Sequence, residues 1–441
     1  MKNLAPLFIS VFLAMTAAAG AQSVIPENPD SLFDPPPEAQ PTAVAAAPAI
    51  ARGIEIGGYL YSDYTGFLTW TDAYPDLGDP AAGVSTRFVP DLEADLYFDA
   101  RPFDDVRVFT KLKAAYPFTA PGISVFEAYA DLDWNDRIYL RVGQQVVNWG
   151  VGYFFSPADI ISLTPINPLQ PDRERQGPLA LRLNAPFADV DNLYLYVVAN
   201  QAFVQNGDFR LENLAVAPKM EVLLGGWEVG LGAYYQKDQR PKAMMTATGS
   251  ILGQLGIFAE GVLSRGQDKL IVQPASGLPG MYVNFTDTTT PTFSGTIGAR
   301  WLQADWHISA VVQYFYNGQG YPDAAGEKAA GTAYALQLQG MLPAGSPLSQ
   351  SDVFQPGRHY LAGLVSWTDI LASKIDLALF SEANVSDGSV VMSPSIAFTP
   401  FRSFTLTCAP YVSFGPDNTE FVTQFGRFSL SLKITAGTGS F

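Results

Sequence analysis

The chain has 441 residues, and its 42 Asp and Glu against 26 Lys and Arg give a formal net charge of −16. This acidic balance argues against nucleic acids or other polyanions as main partners, because polyanions bind basic surfaces. Only 15% of the residues are charged, whereas Tyr and Phe number 20 and 29. An average soluble domain has about 25% charged residues, so the composition favours a protein with a large surface outside water.

The first residues predict an export signal. Met1-Lys2-Asn3 is a basic start, Leu4 to Ala14 an apolar run, and Ala19-Gly20-Ala21 a small-residue cleavage site. We therefore predict a signal peptide at 1–21. Its removal leaves 420 residues with a net charge of −17, since one Lys and no acidic residue is lost. A lipid anchor is not expected because no Cys follows the cleavage site.

Residues 22–53 are rich in Pro and Ala. Such a segment buries little apolar surface, so we predict a disordered periplasmic leader. Outside the signal, the longest apolar stretch is far shorter than the ~20 residues of a spanning helix. The exported chain is therefore a soluble β protein or a closed barrel, because only helices and barrels satisfy every backbone group in lipid. Cys408 is the only cysteine, which excludes an intramolecular disulfide.

From Ile54 the apolar residues alternate with polar ones, as in half-buried strands. The clearest strands are 92–100 and 106–114, each with one apolar and one charged face. Folded about Phe103, this hairpin is predicted to pair opposite charges on its polar face: Asp99 with Arg107, Asp95 with Lys111, and Glu93 with Lys113. A charged face behind an apolar one is typical of a membrane barrel with a polar lumen.

The next hairpin repeats this arrangement about a turn at Asn135-Asp136-Arg137. Its inner face is predicted to pair Asp131 with Arg141 and Glu127 with Gln145. Its outer face is predicted to carry the apolar residues Phe126, Ala128, Ala130, Leu132 and Trp134. Later stripes have the same period, and several begin or end with Trp or Tyr, as membrane interfaces require.

Connections alternate between short turns and long joints, as in outer-membrane barrels. The long joints are 148–178, 267–291 and 318–357. We predict an all-β fold: a transmembrane antiparallel up-and-down β-barrel over residues 54–441, of about 14–18 strands. Eighteen strands are favoured if Gly331–Leu342, which is compatible with strand or helix, belongs to a long loop.

The stretch after Arg141 reads Val142-Gly143-Gln144-Gln145-Val146-Val147-Asn148-Trp149-Gly150 and continues to Pro165-Ile166-Asn167-Pro168. It resembles porin-like outer-membrane barrel families in which a Gly-x-Gln-x-x-x-x-Trp-Gly strand runs into an Asn-Pro loop. The resemblance implies an outer-membrane channel whose loop lines or narrows the pore. Phe441 looks like the terminal aromatic residue that barrel-assembly machinery recognises, although Thr435, Gly437 and Gly439 depart from the apolar alternation expected before it.

A loop at 149–178 of this length and aromatic content is expected to pack, either inward as a constriction or over the mouth as a lid. Its charges either oppose one another across a narrow passage or face solvent. For Trp149 and Gly150 the favoured role is structural, namely fastening the loop to the wall. The candidate loop residues are Trp149, Tyr153, Asp159, Asp172, Arg173, Glu174 and Arg175. The candidate pore-lining residues are Glu93, Asp95, Asp99, Arg107, Lys111, Lys113, Asp131 and Arg141.

Catalysis is not expected. His307 is predicted to lie on the inner face with Ser309, the wrong side for a barrel lipase, and His359 lies at a loop-to-strand junction without a partner in sequence. No glycine-rich phosphate loop and no metal-binding spacing appears, so no cofactor and no metal are predicted.

The sequence therefore favours a porin-like channel in the outer membrane of a diderm bacterium, for passive diffusion of small hydrophilic solutes. The expected partners are the lipid bilayer, the assembly machinery, the permeating solutes and, for some such barrels, further copies of the chain, but no nucleic acid. The alternative is a structural or adhesive barrel without a pore, or a channel for apolar molecules.

Overall fold

The computed structural model describes residues 53–437 except 72, 77, 117–121, 189, 200–209, 252, 276–280 and 341–345. The predicted signal peptide, the leader apart from its last residue, and Phe441 lie outside the described residues. The signal, the leader and the terminal aromatic residue therefore stay predictions.

Eighteen antiparallel strands, each paired with the next, form one sheet. They are β1 (Ile54–Trp70), β2 (Val84–Phe103), β3 (Val106–Ala115), β4 (Ser124–Trp134), β5 (Ile138–Gln144), β6 (Leu179–Pro186), β7 (Asn192–Ala199), β8 (Leu214–Leu224), β9 (Trp227–Gln236), β10 (Lys242–Ile251), β11 (Leu255–Arg265), β14 (Pro291–Gln303), β15 (Ile308–Tyr316), β16 (His359–Trp367), β17 (Ile375–Asn384), β18 (Ser389–Phe401), β19 (Phe404–Phe414) and β20 (Phe428–Gly437). A separate two-stranded hairpin, β12 (Ile271–Pro274) and β13 (Tyr282–Phe285), lies in the connection between β11 and β14.

The sheet closes into a barrel because β1 pairs with β20 as well as with β2. This seam is fastened from the inside by the ion pair of Asp63 and Lys433, 2.8 Å between Oδ2 and Nζ, with both side chains no more than 5% exposed. The predicted all-β up-and-down barrel is confirmed, and so is the favoured count of 18 strands.

The inner and outer faces of the barrel wall differ in the exposure of their side chains. On β16, Tyr360 and Leu364 point inward and are 0–1% exposed, whereas Leu361 and Val365 point outward and are 45% and 50% exposed. An outward apolar face of this kind is stable only against lipid or another apolar surface. The period of two in the sequence therefore places apolar side chains on a lipid-compatible exterior and the alternate side chains on the inner face of the wall.

The connections are short at one end of the barrel and longer on average at the other. One end has eight turns, at 104–105, 135–137, 187–191, 225–226, 252–254, 304–307, 368–374 and 402–403. The opposite end, here called the outer mouth, has nine connections, at 71–83, 116–123, 145–178, 200–213, 237–241, 266–290, 317–358, 385–388 and 415–427.

In the described part of the chain, three α-helices lie at the outer mouth. The connection 317–358 contains α1 (Ala324–Leu338) and α2 (Gln350–Val353), and the connection 415–427 contains α3 (Glu420–Phe425). The Ala-rich sequence of α1 suits a helix, and Asp323 caps its first turn by accepting a hydrogen bond from the N–H of Gly326. The ambiguous segment Gly331–Leu342 is therefore helical up to Leu338. No described helix is long and apolar enough to span a membrane.

The three ion pairs predicted for the first hairpin form, but diagonally. Arg107 binds Asp99 at 2.7 Å, Lys111 binds Asp95 at 2.9 Å, and Lys113 contacts Glu93 at 2.6 Å, measured between nitrogen and oxygen. The backbone register places Asp95 opposite Lys113 instead, two residues from the predicted alignment, because an irregularity lies between Ala100 and Phe103. Long side chains reach across this offset.

In the second hairpin the Asp131–Arg141 pair is confirmed, at 2.6 Å between Oδ1 and Nε. The outward placement of Phe126 is wrong, because a register shift between β3 and β4 turns it inward, where it is 7% exposed. The predicted Glu127–Gln145 pair is also wrong. Glu127 accepts from the backbone N–H of Val146, and Gln145 donates to a carbonyl of β6.

The placement of His307 on the inner face is wrong as well. His307 is exposed in the turn before β15 with a φ of 52°, because this turn takes up residues 304–307. Ser309 does face inward, where its hydroxyl pairs with that of Ser366 at 2.5 Å. His359 begins β16, and its Nδ1 lies 2.7 Å from the hydroxyl of Tyr314.

Candidate functional site: the loop inside the barrel

The connection 145–178 folds into the barrel. It contacts β3 on one side and β7, β8, β11 and β14 to β17 on the other. Because these strands follow one another around a closed wall, only a segment within the barrel can reach all of them. The question left open by the sequence, inward fold or outer lid, is thus answered by the contacts, and this segment is called the inner loop below.

Four polar side chains of the wall hold the backbone of the inner loop. Lys219 and Arg300 donate to the carbonyls of Trp149 and Val151, at 3.1 and 2.7 Å. The other two, Glu260 and Gln313, bind several backbone groups each. The four side chains come from β8, β14, β11 and β15, so the loop is fastened to a wide arc of the wall.

Glu260 is the carboxylate among these four anchors. Its carboxylate accepts from the backbone N–H groups of Val151, Gly152 and Ala158, with the last two at 3.0 Å. Its side chain is 5% exposed. Three backbone donors and one carboxylate make a strong set of charge-assisted hydrogen bonds in a site that excludes water.

Gln313 fixes the next turn of the loop with both ends of its amide. Oε1 accepts from the N–H groups of Tyr153 and Phe154 at 3.1 and 2.7 Å, while Nε2 donates to the carbonyl of Phe155 at 2.6 Å. The side chain is 0% exposed. The amide therefore satisfies buried loop backbone that would otherwise lack partners.

Aromatic packing fastens the loop on two sides. Trp149, 1% exposed, meets Tyr196 of β7 edge-on at 5.3 Å between ring centroids. Phe155 stacks on Phe315 of β15 at 5.1 Å, and Phe154 contacts Phe380 of β17 at 5.9 Å. These rings fill part of the barrel and are enclosed rather than open to water.

Gly150 allows the loop to approach the wall closely. A Cβ at this position would lie 1.7 Å from Oγ of Ser156 and 2.7 Å from Oε2 of Glu260. A side chain there would displace Ser156 or the carboxylate of Glu260. Trp149 and Gly150 both lie against the wall, which is compatible with the fastening role favoured for them.

The five predicted loop charges divide into two groups. Asp159 and Arg175 pair with each other at 2.5 Å, and Arg175 also donates to Oδ1 of Asn148 and so ties the two arms of the loop together. The consecutive residues Asp172, Arg173 and Glu174 are exposed. Among the five, only the residues of this second group are exposed.

The exposed loop charges face the charged wall of the first strands. Glu174 binds Lys111, and its Oε2 lies 3.5 Å from Nζ of Lys113. Asp172 accepts a hydrogen bond from the hydroxyl of Tyr153 at 3.1 Å. Burial of the Tyr153 side chain and the nearby carboxylate of Asp172 raise the pKa of this phenol well above its ordinary value of 10. All eight predicted wall residues take part in described ion pairs, among them a group of Arg107, Asp99, Asp131 and Arg141.

Replacing Lys111 by Met is expected to destabilise the barrel. The side chain of Asp95 is 0% exposed, and of the two cations described beside it Lys113, 3.9 Å away, would remain. An uncompensated buried charge costs about 3–5 kcal/mol. The urea midpoint of unfolding should fall in Lys111→Met and recover in the double variant with Asp95→Asn. An unchanged midpoint in the single variant would contradict the importance of the pair.

The sequence did not identify the four wall anchors. Their partners lie about 70 to 160 residues away along the chain, as the 109 residues between Val151 and Glu260 illustrate. The one available signal was an isolated carboxylate or amide on the inner face of a strand. Within the described part of the chain, no three His, Cys, Asp or Glu side chains are grouped as a metal ion would require.

No protein-family model matches the chain, and no curated protein sequence does. In the motif stretch, three residues separate Gln145 from Trp149, one fewer than in the pattern that it resembles.

Several solved structures are similar to the chain at low identity. A structure of OccK9 (OpdG) from Pseudomonas aeruginosa has a TM-score of 0.47 and 10% identity, over 88% of this chain and 98% of that one. OccK11 (OpdR) from the same organism has 0.45 and 12%, over 86% and 95%. Salmonella typhi OmpF, in complex with daunomycin, has 0.41 and 9%, over 87% and 97%. These values assign no family, and the fold rests on the strand pairing of this chain itself.

Proposed function

We propose that the chain is a porin-like channel of the outer membrane, through which small hydrophilic solutes diffuse passively. The observation that carries this proposal is a closed 18-strand wall, apolar outside and charged inside. Its inner charges remain in contact with water: the side chains of Arg107, Asp131 and Glu174 are 31%, 28% and 49% exposed. Hydrated ions and polar solutes are stabilised in such a lumen, whereas lipid is not.

In this mechanism the inner loop narrows the lumen, and its exposed charges act on what passes. Asp172, Arg173 and Glu174 are exposed beside the paired carboxylates and cations of the wall, and Glu174 is bound to one of these cations, Lys111. Charges of both signs that line a narrow passage orient a polar solute and disfavour apolar ones. The water in the remaining space carries the flux, with no conformational step required.

The location and partners belong to the same proposal. The predicted signal at 1–21 supports export, and insertion by barrel-assembly machinery belongs to the same proposal. Assembly with further copies of the chain is compatible with the apolar exterior, which a neighbouring barrel covers as well as lipid does.

Purified protein added to a planar bilayer should give stepwise increases in conductance. Liposomes that contain it should swell in small sugars, because both readouts require a continuous aqueous path. A heat-modifiable gel shift serves as the control that the barrel is folded. Folded protein that gives neither steps nor swelling would contradict the channel.

The second candidate, a channel for apolar molecules or a barrel without a pore, draws on the aromatic side chains inside. Phe154, Phe258 and Phe380 are 0–1% exposed. Because the inner loop covers them, they support the packing of the loop rather than an apolar path. Uptake of an apolar dye without sugar permeability would favour this candidate instead.

A further inference from the structure

Carboxyl groups from three outer connections meet at the outer end of β17. Nδ2 of Asn384 donates to Oε2 of Glu327 and to Oε2 of Glu420, both at 2.8 Å. Asp387 accepts from the backbone N–H of Glu420 at 2.6 Å. Glu327 belongs to α1, Glu420 begins α3, and Asp387 lies in the turn between β17 and β18. The cluster therefore joins both longer helix-bearing connections to the wall.

Glu327 is poorly compensated as an anion. It is 7% exposed, and its Oε1 has no hydrogen-bond partner. The charged groups that act on it are all acidic, namely Glu420, Asp387 and Asp323, and only the amide of Asn384 donates to it. A proton on this carboxyl removes the repulsion and supplies the donor that the cluster lacks.

Glu420 is compensated only in part. The hydroxyl of Tyr360 donates to its Oε2 at 2.8 Å, and the ammonium of Lys269 acts on it from the connection 266–290. Lys269 is itself occupied, since it donates to two backbone carbonyls. Asp387 acts on it with negative charge from the turn after β17, and Glu420 in turn acts on the buried carboxyl of Glu382 in the wall.

We propose that these carboxyl groups form a proton-operated latch at the outer mouth, which holds α1 and α3 docked when protonated and releases them when ionised. This inference rests on the proposed channel. Docked, the two helices cover the mouth on the side of β15 to β20, with Phe421 and Phe425 of α3 buried against Tyr411. Released, they leave that side open, so conductance rises with pH.

The sign and range of the effect follow from the two titrating groups. Burial and the neighbouring Glu420 raise the pKa of Glu327 from 4.5 to about 9, and burial raises that of Glu420 to about 7. The docked state is fully favoured below the ordinary carboxyl pKa. It is weakened as pH rises through these two values, by up to about tenfold in the docking equilibrium per pH unit and proton.

The test is conductance of the full chain between pH ~5 and pH ~10, with hydrogen exchange of the α1 amides as a second readout. We expect conductance and exchange of the wild type to rise together with pH. The double variant Glu327→Gln and Glu420→Gln, which mimics the protonated carboxyls, should keep the low-pH values throughout. Glu212→Gln, at an exposed carboxylate of another connection, should follow the wild type.

Two results would overturn the latch. One is a wild-type channel whose conductance and α1 exchange do not change with pH, a result that needs no variant to fold. The other is a response to added Ca²⁺ and to chelator at constant pH, which would assign the carboxylates to a cation. Absence of any conductance at every pH would count instead against the channel itself, while α1 exchange still tests the latch.

Discussion

Deletion of residues 156–176 should raise single-channel conductance several-fold. The deleted segment carries the exposed charges Asp172, Arg173 and Glu174, and also Asp159 and Arg175, which tie its arms together. Because the segment lies inside the wall, its removal widens the aqueous path without touching a strand. Conductance in a planar bilayer measures the change, and ion selectivity should shift as the loop charges disappear.

The matched control is a deletion of residues 78–82, which are exposed in the connection between β1 and β2. It shortens an outer connection without entering the barrel, so conductance should stay at the wild-type value. If both deletions leave conductance unchanged while the barrels stay folded, the inner loop does not limit the flow.

Glu260→Ala should release the inner loop from the wall. The substitution leaves the N–H groups of Val151, Gly152 and Ala158 buried without an acceptor. Each unsatisfied donor costs about 1–3 kcal/mol, so docking should weaken by at least about 3 kcal/mol. Since about 1.4 kcal/mol corresponds to a factor of ten, exchange of these amides should accelerate about a hundredfold or more.

Two further variants distinguish the loss of a hydrogen-bond acceptor for the loop from the loss of a negative charge in the lumen. Glu260→Gln keeps one acceptor oxygen and should fall between wild type and Glu260→Ala in amide exchange. Glu228→Gln neutralises another inward carboxylate, close to Lys219 and Glu221 on the wall, and should leave exchange in the loop unchanged. Equal exchange in all four proteins would show that Glu260 does not hold the loop.

The barrel and its charged hairpins could be predicted because each depends on neighbours in sequence. The alternation of apolar and polar residues determines which face of the strand a side chain occupies. A short turn keeps Asp95 within reach of Lys111 even when the register differs by two residues. The register itself was missed, since an irregularity beside the turn costs little and leaves no mark in the pattern. Phe126 turned inward for a similar reason, because one extra residue in β4 reverses the faces around it.

The packing of the inner loop could be predicted from the sequence, but its position inside the wall could not. Its length and aromatic content predicted that it packs, and the fastening role favoured for Trp149 agrees with its contact with Tyr196. Which side of the wall it packs on depends on Glu260 and Gln313, whose partners are more than 100 residues away. Such pairs exist only once the sheet has curved and closed, so no local pattern encodes them.

The pairing of β1 with β20 also determines when during synthesis the barrel can close. Asp63 and Thr435, which share a hydrogen bond across it, are 372 residues apart. Until β20 has been synthesised, the sheet has two unpaired edge strands. Each of them can pair with a strand of another chain. Truncation before β20 is therefore expected to yield aggregates rather than a smaller barrel, and the unfinished chain is expected to need a partner that keeps it from aggregating until its final strand has been made.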